Sequence, residues 1–295
     1  MIKLQYPTAF SAIGQWATEN RIAITEAKFR FAQYGVLRAI ASSRELSQTI
    51  VFKGGNALDF VWQPNRSTVD LDFSSLVADL SAETIKRLLV LGLRRSGDEL
   101  GIGFRVQSVK QQPPGENRTF VTFAIKVGYG LPDAHRNRAR IEQGEDVSSV
   151  VLIELSLNEV VCESVKIEID AANPLQVSTL EDIVSEKLRA LLQQPIRNRY
   201  RRQDLLDIAV SLRQSPELDR HKVAQFLQRK AAGRNVSVSR QAFRNEEVRA
   251  KAQKDYNELA DTTRTLFVPF AEAYTDLLAL VDDLKIPEML SGELI

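Results

Sequence analysis

Val51 to Ser74 reads VFKGGNALDFVWQPNRSTVDLDFS, in which a Gly-Gly turn after a short apolar run is followed, fifteen positions beyond Gly55, by Asp-Leu-Asp. Val69, Leu71 and Phe73 alternate with Asp70 and Asp72, so a strand here turns its apolar residues to one face and both carboxylates to the other. Two like charges side by side repel. A divalent cation between them removes that cost, because Mg²⁺ takes carboxylate oxygens and keeps water and substrate phosphates as its other ligands. The turn suits the second half of the same chemistry. Lacking side chains, Gly54 and Gly55 let backbone N–H groups approach a triphosphate, and Asn56 to Trp62 reads as the start of a helix whose positive end faces the anion.

Phosphoryl transfer with two metal ions calls for a third carboxylate. Val151 to Leu157 alternates so that Ile153, Leu155 and Leu157 share one face and Glu154 the other, which makes Glu154 a candidate on a strand beside Asp70 and Asp72. Glu168 and Asp170 in VKIEID are exposed by the same alternation and remain alternatives. An isolated Asp-x-Asp is commonly a solvated strand end, and a lone Gly pair an ordinary turn. Their occurrence together, with Arg66 and Ser67 between them, gives the segment its meaning.

These residues must be positioned by a folded scaffold, and the composition supports one. The chain has 295 residues, 44% of them hydrophobic, enough for two domains with cores of their own. A single cysteine, Cys162, leaves no internal disulfide, and with only His135 and His221 as histidines no His-Cys zinc cluster can form. No GxxxxGKS loop is present. Neither a secretory segment nor a membrane-spanning run is visible, so a cytoplasmic protein is expected. Lys and Arg number 39 against 38 acids, so nucleic-acid binding would rest on local clusters such as Arg197, Arg199, Arg201 and Arg202.

Helical spacing from about Ala23 to Leu46 predicts one or two helices ahead of the turn. Ser81 caps a further helix with Ile85, Leu88 and Leu89 on its apolar stripe, and Gly92 is expected at its fraying end. Phe104 to Val109, Thr119 to Val127, Val150 to Leu157 and Val165 to Asp170 are predicted strands, the last ended by Asn173-Pro174. Beyond Ser178 only amphipathic helices are expected: one starting at Thr179, then Arg202 to Arg213, Asp219 to Ala232, Val238 to Leu259 and Leu266 to Leu284. The predicted domains are therefore 1–178, an α/β domain, and 179–295, a helical one.

On the helix from Leu180, Lys187 shares its side with Ile183, Val184, Leu188 and Leu191, an apolar stripe where a solvated lysine is unexpected unless it snorkels to the rim. Asp204 and Asp207 lie at i and i+3 on a later helix. Asp204 is near enough to the helix start to complement its dipole, whereas Asp207 is a turn further on.

A Gly-Gly turn followed by Asp-x-Asp on the next strand resembles the nucleotidyltransferase superfamily that includes DNA polymerase beta. Lys53-Gly54-Gly55-Asn56-Ala57-Leu58, then Arg66-Ser67-x-x-Asp70-Leu71-Asp72-Phe73, is similar to the AbiEii/AbiGii family of abortive-infection toxins, whose pattern is KGGTAL followed by RxSxDLDF. Asn56 stands where the family more often has Ser or Thr, and Asn can still hydrogen-bond a phosphate oxygen. SEKLRALLQQPIRNRYRRQDLLDIAVSL, from Ser185, resembles the family's second motif, a helical Lys before an Arg-rich bend and an Asp-x-x-Asp helix.

The resemblance implies a polymerase beta-like nucleotidyltransferase domain with a mixed sheet and a C-terminal helical domain that contributes Lys187 and Asp207 to the cleft. It implies Asp70, Asp72 and Glu154 as ligands of Mg²⁺ or Mn²⁺, and it favours Glu154 over Glu168 and Asp170. Gly54, Gly55, Asn56, Arg66, Ser67 and Lys187 would bind a nucleoside triphosphate, with Lys187 and Asp207 taking part in catalysis. Arg197, Arg199, Arg201 and Arg202 would hold an RNA backbone. The implied activity is that of a type IV toxin–antitoxin or phage-defence toxin, transferring a nucleotide to RNA, the tRNA 3′ end above all. A separate antitoxin, acting indirectly, is the implied partner. Transfer to a protein side chain and a non-catalytic nucleotide- or RNA-binding module are the alternatives.

Overall fold

The computed structural model describes residues 6–66, 68–115, 120–170 and 173–289. They form two compact units, one of Met1–Val61, Thr68–Glu159 and Val165–Val177, the other of Trp62–Ser67, Val160–Ser164 and Ser178–Ile295. The helical unit thus takes in two short segments that precede its main run, Ser178–Ile295, in the sequence.

The first unit is built on seven strands: β1 (Ile50–Lys53), β2 (Asp70–Ser75), β3 (Gly103–Gln112), β4 (Thr122–Gly130), β5 (Val150–Ser156), β6 (Ser164–Asp170) and β7 (Asn173–Ser178). Their order in the sheet is β3-β4-β5-β2-β1-β7-β6. The sheet is mixed: β2 runs parallel to β5 and β1 to β7, while β1 and β2, β3 and β4, and β4 and β5 are antiparallel. Leu71 and Phe73 of β2, Ile153 and Leu155 of β5, and Phe123 and Ile125 of β4 are all buried. Alternation puts this set on one face, and burying each such side chain contributes about 1.5–3 kcal/mol.

The unit's helices are α1 (Ile13–Asn20), α2 (Ile24–Ser42), α3 (Arg44–Thr49), α4 (Gly54–Ala57), α5 (Ala82–Leu100) and α6 (His135–Glu142). Ser43, in β conformation, ends α2 and caps α3 by accepting from the Leu46 N–H at 3.3 Å. Ser81 caps α5 as expected, accepting from Thr84 N at 3.2 Å. Gly92, however, does not mark the end of that helix, which continues to Leu100 and stops at Gly101 in the left-handed region, φ +71°. Gly92 is a packing residue. A Cβ there would overlap the carbonyl oxygen of Ala39 and stand 3.1 Å from its carbon, so glycine is what lets α5 lie close on α2.

Asn173-Pro174 also corrects the expectation, since it opens β7 instead of merely ending β6. β7 pairs with β1 through Phe52 and Val177, a long-range contact that local composition does not announce.

The second unit contains α7 (Leu180–Leu192), α8 (Gln194–Arg197), α9 (Arg202–Gln214), α10 (Arg220–Ala232), α11 (Arg240–Phe243), α12 (Glu246–Gln253) and α13 (Phe270–Asp283). Thr179 caps α7 by accepting from Asp182 N at 3.3 Å, and Asp219 caps α10 by accepting from His221 N at 2.9 Å. The single helix expected from Val238 to Leu259 is three pieces: α11, α12 and a 3₁₀ segment, Tyr256–Thr262. Asn245 restarts the chain by accepting from Glu247 N at 2.8 Å, so a local side-chain bond displaces the helical ladder. Among the described residues no helix is long and apolar enough to cross a membrane.

Replacing Gly92 by Ala should destabilise the protein by about 1–3 kcal/mol through overpacking, against the gain of about 1 kcal/mol that Ala brings to a helix interior. A urea midpoint equal to or above wild type would remove the packing role.

Candidate active site

In the first unit the register of β2 against β5 brings the acidic residues together. Asp72 is the Cα partner of Glu154, and Asp70 that of Leu152. Residues paired across strands share a face, and so do i and i+2, so Asp70, Asp72 and Glu154 form one row opposite the apolar face. Glu168 lies on β6, and β1 and β7 stand between β6 and β2. At about 4.8 Å per strand that separation is roughly 14 Å.

The Gly-Gly turn is built against this row. Gly54 has φ +73°, and a Cβ on it would stand 3.0 Å from both Cβ and Cγ of Asp72 and closer still to Oδ2. Glycine is therefore required twice over, by the backbone conformation and by the carboxylate lying against it. Gly54–Ala57 is helical and runs on into a π turn, Leu58–Trp62, which leaves the first N–H groups of the segment without helical partners.

Asn56 is fully buried, and its amide donates to the carbonyls of Thr68, at 3.1 Å, and Asp70, at 2.6 Å. In this structure the side chain pins the entry of β2 to the turn and so positions Asp70. Gln33 adds a donor to the Val69 carbonyl at 3.1 Å.

Asp70 Oδ1 is buried and has no hydrogen-bond partner. Burial also pushes the Asp70 carboxyl above the usual carboxylate range. An unsatisfied oxygen in a row of hard carboxylate donors fits a divalent cation. Among the described residues no three His, Cys, Asp or Glu side chains close round a common point.

Lys53 forms an ion pair with Glu159, which also accepts from Ser74 Oγ at 2.8 Å. The sequence did not single out Glu159. It follows β5 through Asn158, in the left-handed region at φ 57°, and meets Lys53 because β1, β2 and β5 are neighbours. The one local signal is an Asn suited to a sharp turn.

The helical unit holds a cluster of its own. Lys187 of α7, 6% exposed, reaches Asp204 at 2.8 Å and Asp207 at 2.7 Å, both on α9. Arg66 grips Asp207 through two bonds, Nε to Oδ1 at 2.8 Å and Nη2 to Oδ2 at 2.6 Å. The segment carrying Arg66 is threaded among the helices by side-chain bonds. Gln63 donates to Ser215 Oγ at 3.0 Å and accepts from Ser211 Oγ at 2.9 Å, while Asn65 accepts from Leu266 N at 2.8 Å. Arg66 is thus a buried partner of Asp207.

Burial acts to raise the Asp207 pKa, but the charges of Arg66 and Lys187 and their hydrogen bonds outweigh it and hold the carboxyl below the usual range. For Lys187 burial acts to lower the pKa, yet Asp204 and then Asp207 outweigh burial and the repulsion of Arg66, leaving it raised. Lys187 is therefore a buried, charged lysine held by two carboxylates, not one snorkelling to a rim. Ser67 lies outside the described residues.

The family model for the nucleotidyl transferase AbiEii toxin of type IV toxin–antitoxin systems matches residues 35–276. This chain belongs to the AbiEii family. Its activity is therefore nucleotidyl transfer, and its place that of the toxin of a type IV toxin–antitoxin system. Among solved structures it is similar to MenT4, a nucleotidyltransferase toxin from Mycobacterium tuberculosis H37Rv, with a TM-score of 0.52 and 16% identity over 93% of this chain and 90% of that one. It is also similar to JHP933 from Helicobacter pylori, with a TM-score of 0.50 and 15% identity over 88% of this chain and 90% of that one. At these identities the likeness is one of fold. No curated protein matches the chain.

Two outcomes follow for this AbiEii-family protein. Gly54→Ala adds roughly 1–2 kcal/mol of left-handed strain and drives its Cβ into Asp72, so nucleotidyl transfer should be lost while the melting temperature falls only modestly; retained transfer would show that the carboxylate tolerates displacement. Asp207→Asn leaves Arg66 and Lys187 short of a charge and should cost about 3 kcal/mol or more near neutrality. Asp207, its folded pKa depressed, contributes fully above its unfolded value of about 3.9 and loses that contribution as pH falls through the folded pKa. Denaturant titrations between about pH 2 and 7 should accordingly show a flatter acid limb in the variant than in wild type. Parallel curves would remove Asp207 from the acid response.

Proposed function

We propose that this toxin carries out divalent-cation-dependent transfer of a nucleoside monophosphate from a nucleoside triphosphate to an RNA acceptor, the 3′ end of tRNA. The observation that carries the reading is the row of Asp70, Asp72 and Glu154, aligned by the β2–β5 register and set against the glycine turn at Gly54. These three residues would hold the cation, Mg²⁺ or Mn²⁺. Bound there, it would lower the pKa of the attacking hydroxyl and neutralise charge on the departing pyrophosphate.

The chain's own residues supply the rest. The first N–H groups of the Gly54–Trp62 segment are free of helical partners and donate to phosphate oxygens. Asn56 and Gln33 hold the backbone entering β2, which keeps the Asp70 carboxylate in place. The acceptor hydroxyl gives up its proton to solvent and attacks the α-phosphorus, a phosphoester bond to the acceptor forms as the α–β phosphoanhydride bond breaks, and pyrophosphate leaves with the electron pair. Within the helical unit Lys187 is kept charged by Asp204 and Asp207. The acceptor follows from charge: the bend bearing Arg197, Arg199, Arg201 and Arg202 suits an acidic polymer that needs several phosphate contacts. Blocking the 3′ end of tRNA prevents aminoacylation, which accounts for toxicity in the cytoplasm and for a role in phage defence.

The test incubates the purified protein with each α-labelled nucleoside triphosphate, Mg²⁺ and either total tRNA or cell protein. Label should enter tRNA and fall by roughly 100-fold or more in Asp70→Asn, Asp72→Asn and Glu154→Gln, whereas Glu168→Gln retains transfer. Chelation should abolish labelling and added Mg²⁺ or Mn²⁺ restore it. Label on protein alone would replace the acceptor, and a Glu168→Gln loss equal to that of Glu154→Gln would displace Glu154.

A further inference from the structure

Between α8 and α9 the chain makes a bend whose shape is held from inside. Gln194, buried, accepts from Arg201 N at 2.8 Å and donates to the carbonyls of Leu191, at 3.1 Å, and Val248, at 3.3 Å. Asn198 turns the chain in the left-handed region at φ 47°. The result is that Arg197, Arg199 and Tyr200 are all presented outward, Tyr200 with 49% of its surface exposed.

Two ammonium groups stand over the Tyr200 ring, Lys254 Nζ at 4.3 Å and Lys251 Nζ at 5.3 Å from its centroid. Beside the ring opens a cavity of about 360 Å³ lined by Tyr200, Arg201, Arg202, Gln203, Asp204, Lys254 and Asp255. Some cations here are already matched: Arg202 by Glu258 at 2.8 Å, and Arg201 by Asp204 at 3.7 Å. Among the described residues Arg197, Arg199 and Lys254 have no acidic partner within 4.0 Å. Arg197 is instead crowded by like charges from Arg234, Arg189, Arg199 and Arg201, and these, after partial burial, pull its pKa down.

An exposed aromatic ring among unmatched cations, on a bend fixed by buried hydrogen bonds, is the combination by which proteins hold single-stranded nucleic acid. The bases stack on the ring and the phosphates meet the cations. A protein partner with acidic side chains would need the cations but not the open ring. We infer that Tyr200 is a stacking platform for an unpaired base of the RNA acceptor, with Lys254, Arg197 and Arg199 holding the adjoining phosphates. This rests on the reading of the acceptor as RNA and adds where its single-stranded part is held and by what contact. Duplex RNA, whose bases are already stacked, gains nothing from Tyr200.

The test is equilibrium binding by the full chain, without nucleotide, of a fluorescein-labelled single-stranded RNA of about 12 nucleotides and of a blunt duplex of the same length, followed by anisotropy. Wild type should prefer the single strand. Tyr200→Ala should weaken that binding roughly tenfold, and Tyr200→Trp should keep it, with its added indole emission quenched as RNA is titrated in. Lys254→Ala should reduce the slope of log Kd against log salt by about 0.7. Equal affinity of Tyr200→Ala and wild type for the single strand would overturn the inference, as would equal binding of duplex and single strand. Displacement of the RNA by polyglutamate as readily as by unlabelled RNA would also overturn it, in favour of an acidic protein partner. Failure here and failure of the acceptor reading are separable. Label on tRNA with Tyr200→Ala binding unimpaired sinks only this inference; label on protein with Tyr200-dependent RNA binding sinks the acceptor reading and overturns Tyr200 as an acceptor contact, leaving only its hold on single-stranded RNA.

Discussion

Three carboxylates on one face of adjoining strands set the problem that the first unit solves. At an effective dielectric near 20, charges 5–7 Å apart repel by roughly 2–3 kcal/mol, less where the group is solvated, as Glu154 is. The same strands carry Leu71, Phe73, Ile153 and Leu155 on the other face, and their burial offsets the repulsion. The parallel register of β2 and β5 is thus the feature on which the site depends. A slip of one residue would turn the acids into the core and the core side chains out. Asn56 and Gln33 guard that register by tying the backbone that leads into β2.

Asp72 shows how closely the parts are coupled. Its carboxylate occupies the space a side chain at position 54 would need, so turn and acid are one construction. Asp70 carries the strain of the arrangement in a different form, an oxygen buried without a hydrogen bond and a carboxyl pushed toward its neutral form. Buried polar atoms left in that condition cost free energy, and a site that binds a cation has a reason to keep one.

In the helical unit the corresponding constraint is charge balance under burial. Arg66 and Lys187 face Asp204 and Asp207, two cations against two acids, and the double hydrogen bond from Arg66 makes that pairing directional. A buried ion cluster is weak evidence of net stability, since desolvating four charges is expensive. Its contribution is to specificity: α7, α9 and the Arg66 segment must all be in place for the four groups to meet as they do.

Much of this was legible in the chain. Alternation in VDLDF and VLIELSL determined which residues share a face, Gly-Gly marked the turn, and Ser81, Thr179 and Asp219 announced helix starts, because each depends only on neighbours in sequence. The family motifs carried the nucleotidyltransferase assignment for the same reason. Choosing Glu154 over Glu168 was different, since alternation exposes both and only strand order puts one beside Asp72 and the other three strands away. Gly92 looked like a helix end because its partner, the Ala39 carbonyl, lies on another helix. The bonds of Asn56 and Arg66 could not be read locally either, because the carbonyls that Asn56 holds lie more than ten residues onward and Asp207, the partner of Arg66, is far along the chain. Periodicity, caps and turns are local energies and belong to the sequence; which buried group meets which is decided by packing, whose contacts join residues the sequence keeps apart.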